Sequence, residues 1–190
     1  MTGLGDAGVI NRQEFVGLED LKQFRFFTNS FDTTTSGIDL VGSTDFDFAD
    51  GVSKVTVAFN YNKTEVDNRG TINPISGGRV EALEDLLPNV KGNIAWSHTQ
   101  GQLRTLVRAN YYGAWKSTGN GYNVGATTLV DAQVAYDYTE NLELVLGVEN
   151  LFDEYPDKNP GRGGVGQLYP EDSPFGFNGG SWYLQARYSF

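Results

Sequence analysis

Apolar and polar residues exchange places at every second position through most of this chain. The clearest run closes it. Trp182, Leu184, Ala186, Tyr188 and Phe190 alternate with Ser181, Gln185, Arg187 and Ser189, and Tyr183 alone is ambiguous. A period of two sends one row of side chains to each face of a β-strand. Seven earlier segments behave alike. In 21–28, Phe24 and Phe26 alternate with Gln23 and Arg25. Segment 37–48 sets Ile38, Leu40, Phe46 and Phe48 against Asp39, Ser43, Asp45 and Asp47. Segment 53–61 sets Val55, Val57, Phe59 and Tyr61 against Lys54, Thr56, Ala58 and Asn60. The pattern continues through 92–99 (Ile94, Trp96), 102–115 (Leu103, Val107, Ala109, Tyr111), 128–138 (Val130, Ala132, Val134, Tyr136, Tyr138) and 142–150 (Leu142, Leu144, Leu146, Val148).

The connections alternate too. Residues 49–52, 99–101 and 139–141 read as tight turns with Asp, Gly or Asn in them, whereas 65–90, 116–127 and 151–180 are long. Residues 29–36 form one further short connection. Short turns at one end and long loops at the other match the periplasmic and extracellular ends of a transmembrane barrel. A soluble β-sandwich also alternates, but it rarely combines strict short-long turns with aromatics at strand ends and valines and leucines between. The pattern predicts an all-β fold: an antiparallel transmembrane β-barrel portion of about eight strands. One stretch departs from it. Residues 79–87 read as a short amphipathic helix in an outer loop, ended by Pro88 and packed over the rim.

Composition narrows the function. The formal net charge of -10 leaves nothing basic enough to replace phosphate counterions, so no nucleic acid is expected as a partner. Cys is absent, which excludes disulfides and thiolate metal sites. No apolar run reaches the roughly 18 residues of a membrane helix. The mean hydropathy of -0.37 has the value of a soluble protein, but that index is blind to barrels, because half of each spanning strand faces water. The first residues show no basic and apolar leader of the secretory kind.

Individual residues add little chemistry. His98, the lone histidine, falls on the outward face with Ile94 and Trp96 near the inner membrane boundary, and reads as an interfacial ring. Asp45, Asp47 and Asp50, and again Asp153, Glu154 and Asp157, approach calcium spacing without the full twelve-residue loop. They read as lumenal and turn acids and as a loop rim. The Gly161–Gly166 stretch lacks the strand-to-helix context of a phosphate loop and reads as an outer loop. No catalytic residue, metal or cofactor is expected. The inward rows are mixed in sign: Arg25, Lys54, Arg104, Arg108 and Arg187 stand against Asp39, Asp45, Asp131, Asp137, Glu143 and Glu149.

Several segments resemble the C-terminal end of TonB-dependent outer-membrane receptors: FFTNSFDTTTSGIDL over 26–40, YNKT over 61–64, GVENLFDEYP over 147–156, SPFGFNGG over 173–180 and the terminal Tyr188-Ser189-Phe190. The likeness covers roughly residues 24–190. It implies a divided chain, with 1–20 a leader or loop remnant and 21–190 the C-terminal barrel region, the plug domain being absent from this stretch. It also implies a Gram-negative outer-membrane location and active uptake of a scarce solute such as a ferric siderophore. Its partners would be the lipid bilayer, the outer-membrane assembly machinery, and TonB acting through a plug. A small stand-alone barrel with a structural or adhesion role is the alternative. Ligand contacts should lie in the outer loops, where rigid barrels carry their variable residues. The candidates are Trp115, Tyr122, Tyr155, Tyr169 and Phe175, with an aromatic girdle and loop packing as the plainer reading. Trp182, Leu184, Tyr188 and Phe190 resemble the terminal signal read by the assembly machinery. Deleting Phe190 should therefore lower membrane insertion without altering loop chemistry, and equal membrane yield from the deletion counts against that role.

Overall fold

The computed structural model describes residues 31–71, 74–117 and 121–190. The strand expected at 21–28, with its inward Arg25, lies outside them. Seven strands form one antiparallel sheet: β1 (Asp32–Phe48), β2 (Gly51–Asn68), β3 (Val90–Gln100), β4 (Leu103–Tyr112), β7 (Thr127–Asp137), β8 (Leu142–Glu149) and β9 (Ser181–Tyr188). They are neighbours in that order, each paired with the next in sequence, as in a barrel wall. Two three-residue strands, β5 (Trp115–Ser117) and β6 (Tyr122–Val124), form a separate hairpin between β4 and β7. Helix α1 (Gly77–Glu84) lies in the β2–β3 connection, and a one-turn helix α2 (Arg162–Val165) in the β8–β9 connection.

The register aligns the predicted rows. Leu40 faces Phe59, Val55 faces Trp96, and Trp96 faces Val107. Val107 then faces Ala132, which faces Val148, which faces Trp182. Directly paired residues share a face, so the apolar row is continuous from β1 to β9. The row is open to its surroundings: Leu184 is 72% exposed, Leu146 56% and Ile94 50%. No second sheet packs against it among the described residues, which is where a soluble sandwich would bury it.

The outer limit of this band is visible on β2. Tyr61 ends the apolar row, and the next two residues on that face, Lys63 and Glu65, form an exposed ion pair at 2.6 Å. From Ile38 to Phe48 the neighbouring strand rises about 33 Å. At the usual barrel tilt that is about 25 Å of depth, the height of an outer-membrane apolar band. At the inner limit His98 stacks on Trp96 (centroids 5.8 Å apart) and meets Phe48 edge-on at 5.9 Å. Its Nδ1 is hydrogen-bonded to the fully buried Ser53 hydroxyl at 2.9 Å.

Four details differ from the sequence pattern. Strands β1 and β2 run further outward than expected, so residues 32–36 and 65–68 are strand rather than connection. Their outward residues there are polar, for example Thr34 hydrogen-bonded to Asp67, and carry no amphipathic signal. The β1–β2 turn centres on Ala49 and Asp50, both at positive φ (49° and 59°), and not on Asp50-Gly51. Gly51 instead opens β2, where a Cβ would collide with the Thr99 carbonyl and the His98 ring. The helix occupies Gly77–Glu84, capped by the Ser76 hydroxyl, and stops at Asp85 ahead of Pro88. Tyr183 turns inward. It pairs opposite Gly147, whose missing Cβ lets the ring lie across β8 so that its hydroxyl donates to Gln133 at 2.9 Å.

The inner face is polar and paired. Arg104 on β4 meets Asp137 on β7 at 3.0 Å and also Glu143 on β8, and Glu143 holds Arg187 on β9 at 2.9 Å. One carboxylate on β8 thus joins β4 to the last strand, and Arg104 carries the link on to β7 through Asp137. Glu143 is only 14% exposed, so its charge is worth more than that of a fully wet pair. Glu143→Ala should cost about 1–3 kcal/mol and loosen β9 first. Faster amide exchange over 181–188 and a lower unfolding temperature on a heat-modifiability gel are the expected readouts.

Candidate functional site: the outer rim

The outer rim is built from three pieces: α1, the β5–β6 hairpin and the long connection 150–180. The hairpin stands on α1 through the Lys116–Glu81 ion pair (3.0 Å) and the Lys116 N–H donating to the Asp85 carbonyl at 2.8 Å. Helix α1 is in turn fixed to β2 by Glu84, which accepts the Val66 N–H at 2.8 Å. One face of the hairpin carries Trp115, Ser117, Tyr122 and Val124, paired Trp115 to Val124 and Ser117 to Tyr122. Trp115, Ser117 and Val124 are buried, at 4%, 2% and 1% exposure.

What covers that face is the last connection. Phe175 meets Trp115 edge-on at 5.8 Å and Tyr112 at 5.1 Å. Asp157 accepts the Gly125 N–H at 2.7 Å, at the foot of the hairpin. Further along, Tyr155 stacks on Tyr169 at 5.1 Å, and Tyr169 on Phe177 at 6.4 Å. The five aromatic residues chosen from the sequence thus fall into two groups. Trp115, Tyr122 and Phe175 lie in the hairpin–loop joint, where Trp115 is enclosed. Tyr155 and Tyr169 form a stack, in which Tyr155 is 37% exposed. The assembly candidates stand on the outward row of β9, with Trp182 77% exposed and the Tyr188 and Phe190 rings edge-to-face at 5.2 Å.

Trp115 Nε1, the Tyr122 hydroxyl, Asn159 Nδ2 and Asp172 Oδ1 are all buried without a hydrogen-bond partner among the described residues. Buried groups of this kind are commonly satisfied by ordered water. Burial raises the Tyr122 phenol above its ordinary value, and the Asp172 and Asp157 carboxylates add to the effect. The Asp153 hydrogen bond is the main cause raising Tyr155 likewise. Among the described residues no group of three His, Asp or Glu side chains gathers as a metal site. Asp153 and Asp157 spend their carboxylates on backbone N–H groups.

The root of the last connection could not be foreseen residue by residue. Asn150, at φ 50° and 8% exposed, closes the first turn with both ends of its amide: Oδ1 accepts the Glu154 N–H (3.0 Å) and Nδ2 donates to the Glu154 carbonyl (2.8 Å). Asp153, at φ 57°, accepts the Gly180 N–H at 2.8 Å and so clips the end of the loop to its beginning. Gly179 (φ 73°) has no room for a Cβ beside the Tyr155 hydroxyl. The ENLFDEYP string is therefore a loop root, and its signal in the sequence is Asn and Asp, the residues that tolerate the left-handed region.

Tyr122 gives this joint a pH dependence. A phenol whose folded pKa lies above its ordinary value of about 10 contributes its stability in full below that pH, and loses it as the pH climbs through the folded value. The Trp115 emission should therefore change above about pH 10 in the native protein, and Tyr122→Phe should abolish that alkaline step.

Residues 3–151 match the family model described as TonB dependent receptor-like, beta-barrel. No curated protein matches. Among solved structures, the ferric yersiniabactin uptake receptor FyuA from Yersinia pestis is similar, with a TM-score of 0.53 and 16% identity. The match covers 85% of this chain and 24% of that one, so the chain spans about a quarter of the length of the receptor it resembles. At that identity the likeness is one of fold, and it is the fold seen here: a meander of antiparallel strands with short turns at one end and built-up loops at the other. With its family model matched over more than half its length, the chain belongs to the TonB-dependent receptor β-barrel family.

Proposed function

We propose that this chain forms the C-terminal part of the wall of an outer-membrane receptor that imports a scarce solute with energy passed from TonB. The observation that carries the reading is the single sheet with two different faces, one a continuous exposed apolar row and the other lined by ion pairs, in a member of this receptor family. Such a sheet is solvated by hydrocarbon on one side and by a wet bore on the other. In such a receptor the plug domain lies in the bore, against the inner row, and the rim aromatics Tyr155 and Tyr169 face incoming solute. A ferric siderophore is the solute class we favour, and the likeness to FyuA, a ferric yersiniabactin uptake receptor, supports it. No chemistry is assigned to the chain itself.

Strands β1 and β9 each have one sheet neighbour among the described residues. This favours a segment of a larger wall over a closed small barrel, because free edges are otherwise sites of aggregation. On the same ground we assign β9 to recognition during insertion: its edge is free for strand addition, and its outward row presents Trp182, Leu184, Tyr188 and Phe190. The test is growth on ferric siderophores as sole iron source by cells dependent on the complete receptor. Uptake should require both the receptor and TonB, and fall when residues 150–180 are replaced by a short turn. Uptake indifferent to TonB would overturn the reading.

A further inference from the structure

Asp131 occupies a position that neither transport nor wall-building explains. It lies on the inner face of β7, level with Arg108 on β4. Its Oδ2 accepts three donors from the bore side: Arg108 Nε at 3.1 Å, Arg108 Nη2 at 2.9 Å and Asn110 Nδ2 at 3.1 Å. Its other oxygen, Oδ1, accepts the backbone N–H of Asn150 at 3.0 Å. The β7–β8 ladder ends one step earlier, at Ala132–Val148, and the Val130 carbonyl takes the Leu151 N–H at 2.7 Å. One residue is thus extra on the loop side, as in a β-bulge, and the Asp131 side chain supplies the acceptor that the ladder does not. The amide it holds belongs to Asn150, the residue that closes the root of the 150–180 connection.

We propose that Asp131 is the positioning residue of the last outer loop, and that an anionic group engaging Arg108 from the bore loosens that loop. The reason lies in charge compensation. The Asp131 side chain is 19% exposed and Arg108 is 49% exposed, so the wall leaves the cation facing the bore while it covers most of the carboxylate. Drawing Arg108 away leaves the carboxylate with one amide from Asn110 and one N–H from Asn150. A covered carboxylate without its countercharge is poorly solvated and regains solvation by turning toward the wet bore. The Asn150 N–H then loses its acceptor, and with it the root that carries Tyr155, Tyr169 and Phe175. The coupling is reciprocal: whatever orders the loop also tightens Arg108 on Asp131. It goes beyond the uptake reading and depends on no particular cargo.

The test uses the complete receptor in outer-membrane vesicles and needs no uptake. Lys158 and Arg162 lie in exposed parts of the last loop and offer tryptic sites. The initial rate of cutting there is read with and without inorganic phosphate, at constant ionic strength set with chloride. In the native protein phosphate should speed cutting saturably, severalfold. Asp131→Asn should be cut about tenfold faster without phosphate, and Asp131→Glu should recover part of the protection. Arg108→Gln should be cut faster and should no longer respond to phosphate, a change that a merely structural role would not produce. Native-like cutting in Asp131→Asn, or a phosphate response that survives Arg108→Gln, overturns the proposal. Should Asp131→Asn fail to insert, Arg108→Gln and Asp131→Glu decide it alone.

Discussion

The structure depends on one constraint: a single layer of backbone must satisfy its hydrogen bonds sideways while its two faces meet different solvents. In hydrocarbon an unpaired peptide group costs several kcal/mol, so every spanning residue has to find its partner on a neighbouring strand. The seven-stranded ladder does this without interruption from Val57–Ile94 through Ala109–Val130 to Leu146–Leu184. Register then becomes binary. A slip of one residue on β7 would turn Asp131 and Asp137 toward lipid and Val134 toward the bore, so the charged row and the apolar row lock each other in place.

The same constraint explains why the inner face is rich in ion pairs although such pairs contribute little on an ordinary surface. Facing a wet bore, a charge loses little hydration, and pairing adds positional control. Glu143 shows this at the inner end, where one carboxylate receives Arg104 and Arg187 and so ties three strands together. Asp131 shows it at the outer end, where the pair extends into the loop through the Asn150 N–H. Between them the bore is lined by groups whose partners sit on neighbouring strands, which makes the wall stiff without a packed core. Among the described residues the buried apolar side chains are few, and Val80, Trp115 and Val124 lie in the rim rather than in the wall.

The rim follows different physics. It packs as a small globular structure does, with an enclosed tryptophan, stacked tyrosines and buried prolines at 88 and 170. It is fastened to the wall through Glu84 to Val66, through Asn150 and Leu151 to Asp131 and Val130, and through Phe175 to Tyr112. Few fastenings allow this layer to vary and to move while the wall stays fixed.

The alternation of residues by itself determined the sheet, its two faces and its antiparallel order, because lipid and water select side chains strictly by parity. It also determined which ends carry loops, since two-residue turns need left-handed residues and long connections do not. It could not determine strand length beyond the membrane: at Ser36 or Lys63 both faces meet water, and the parity signal vanishes. Nor could it find β5 and β6, which are too short for a period and exist because Lys116 is held by α1 and Trp115 by Phe175. The room for the inward Tyr183 ring is supplied by Gly147 across the strand, and the task of Asp131 is set by a backbone amide 19 residues away. Such contacts join residues distant in sequence, so only the folded chain specifies them.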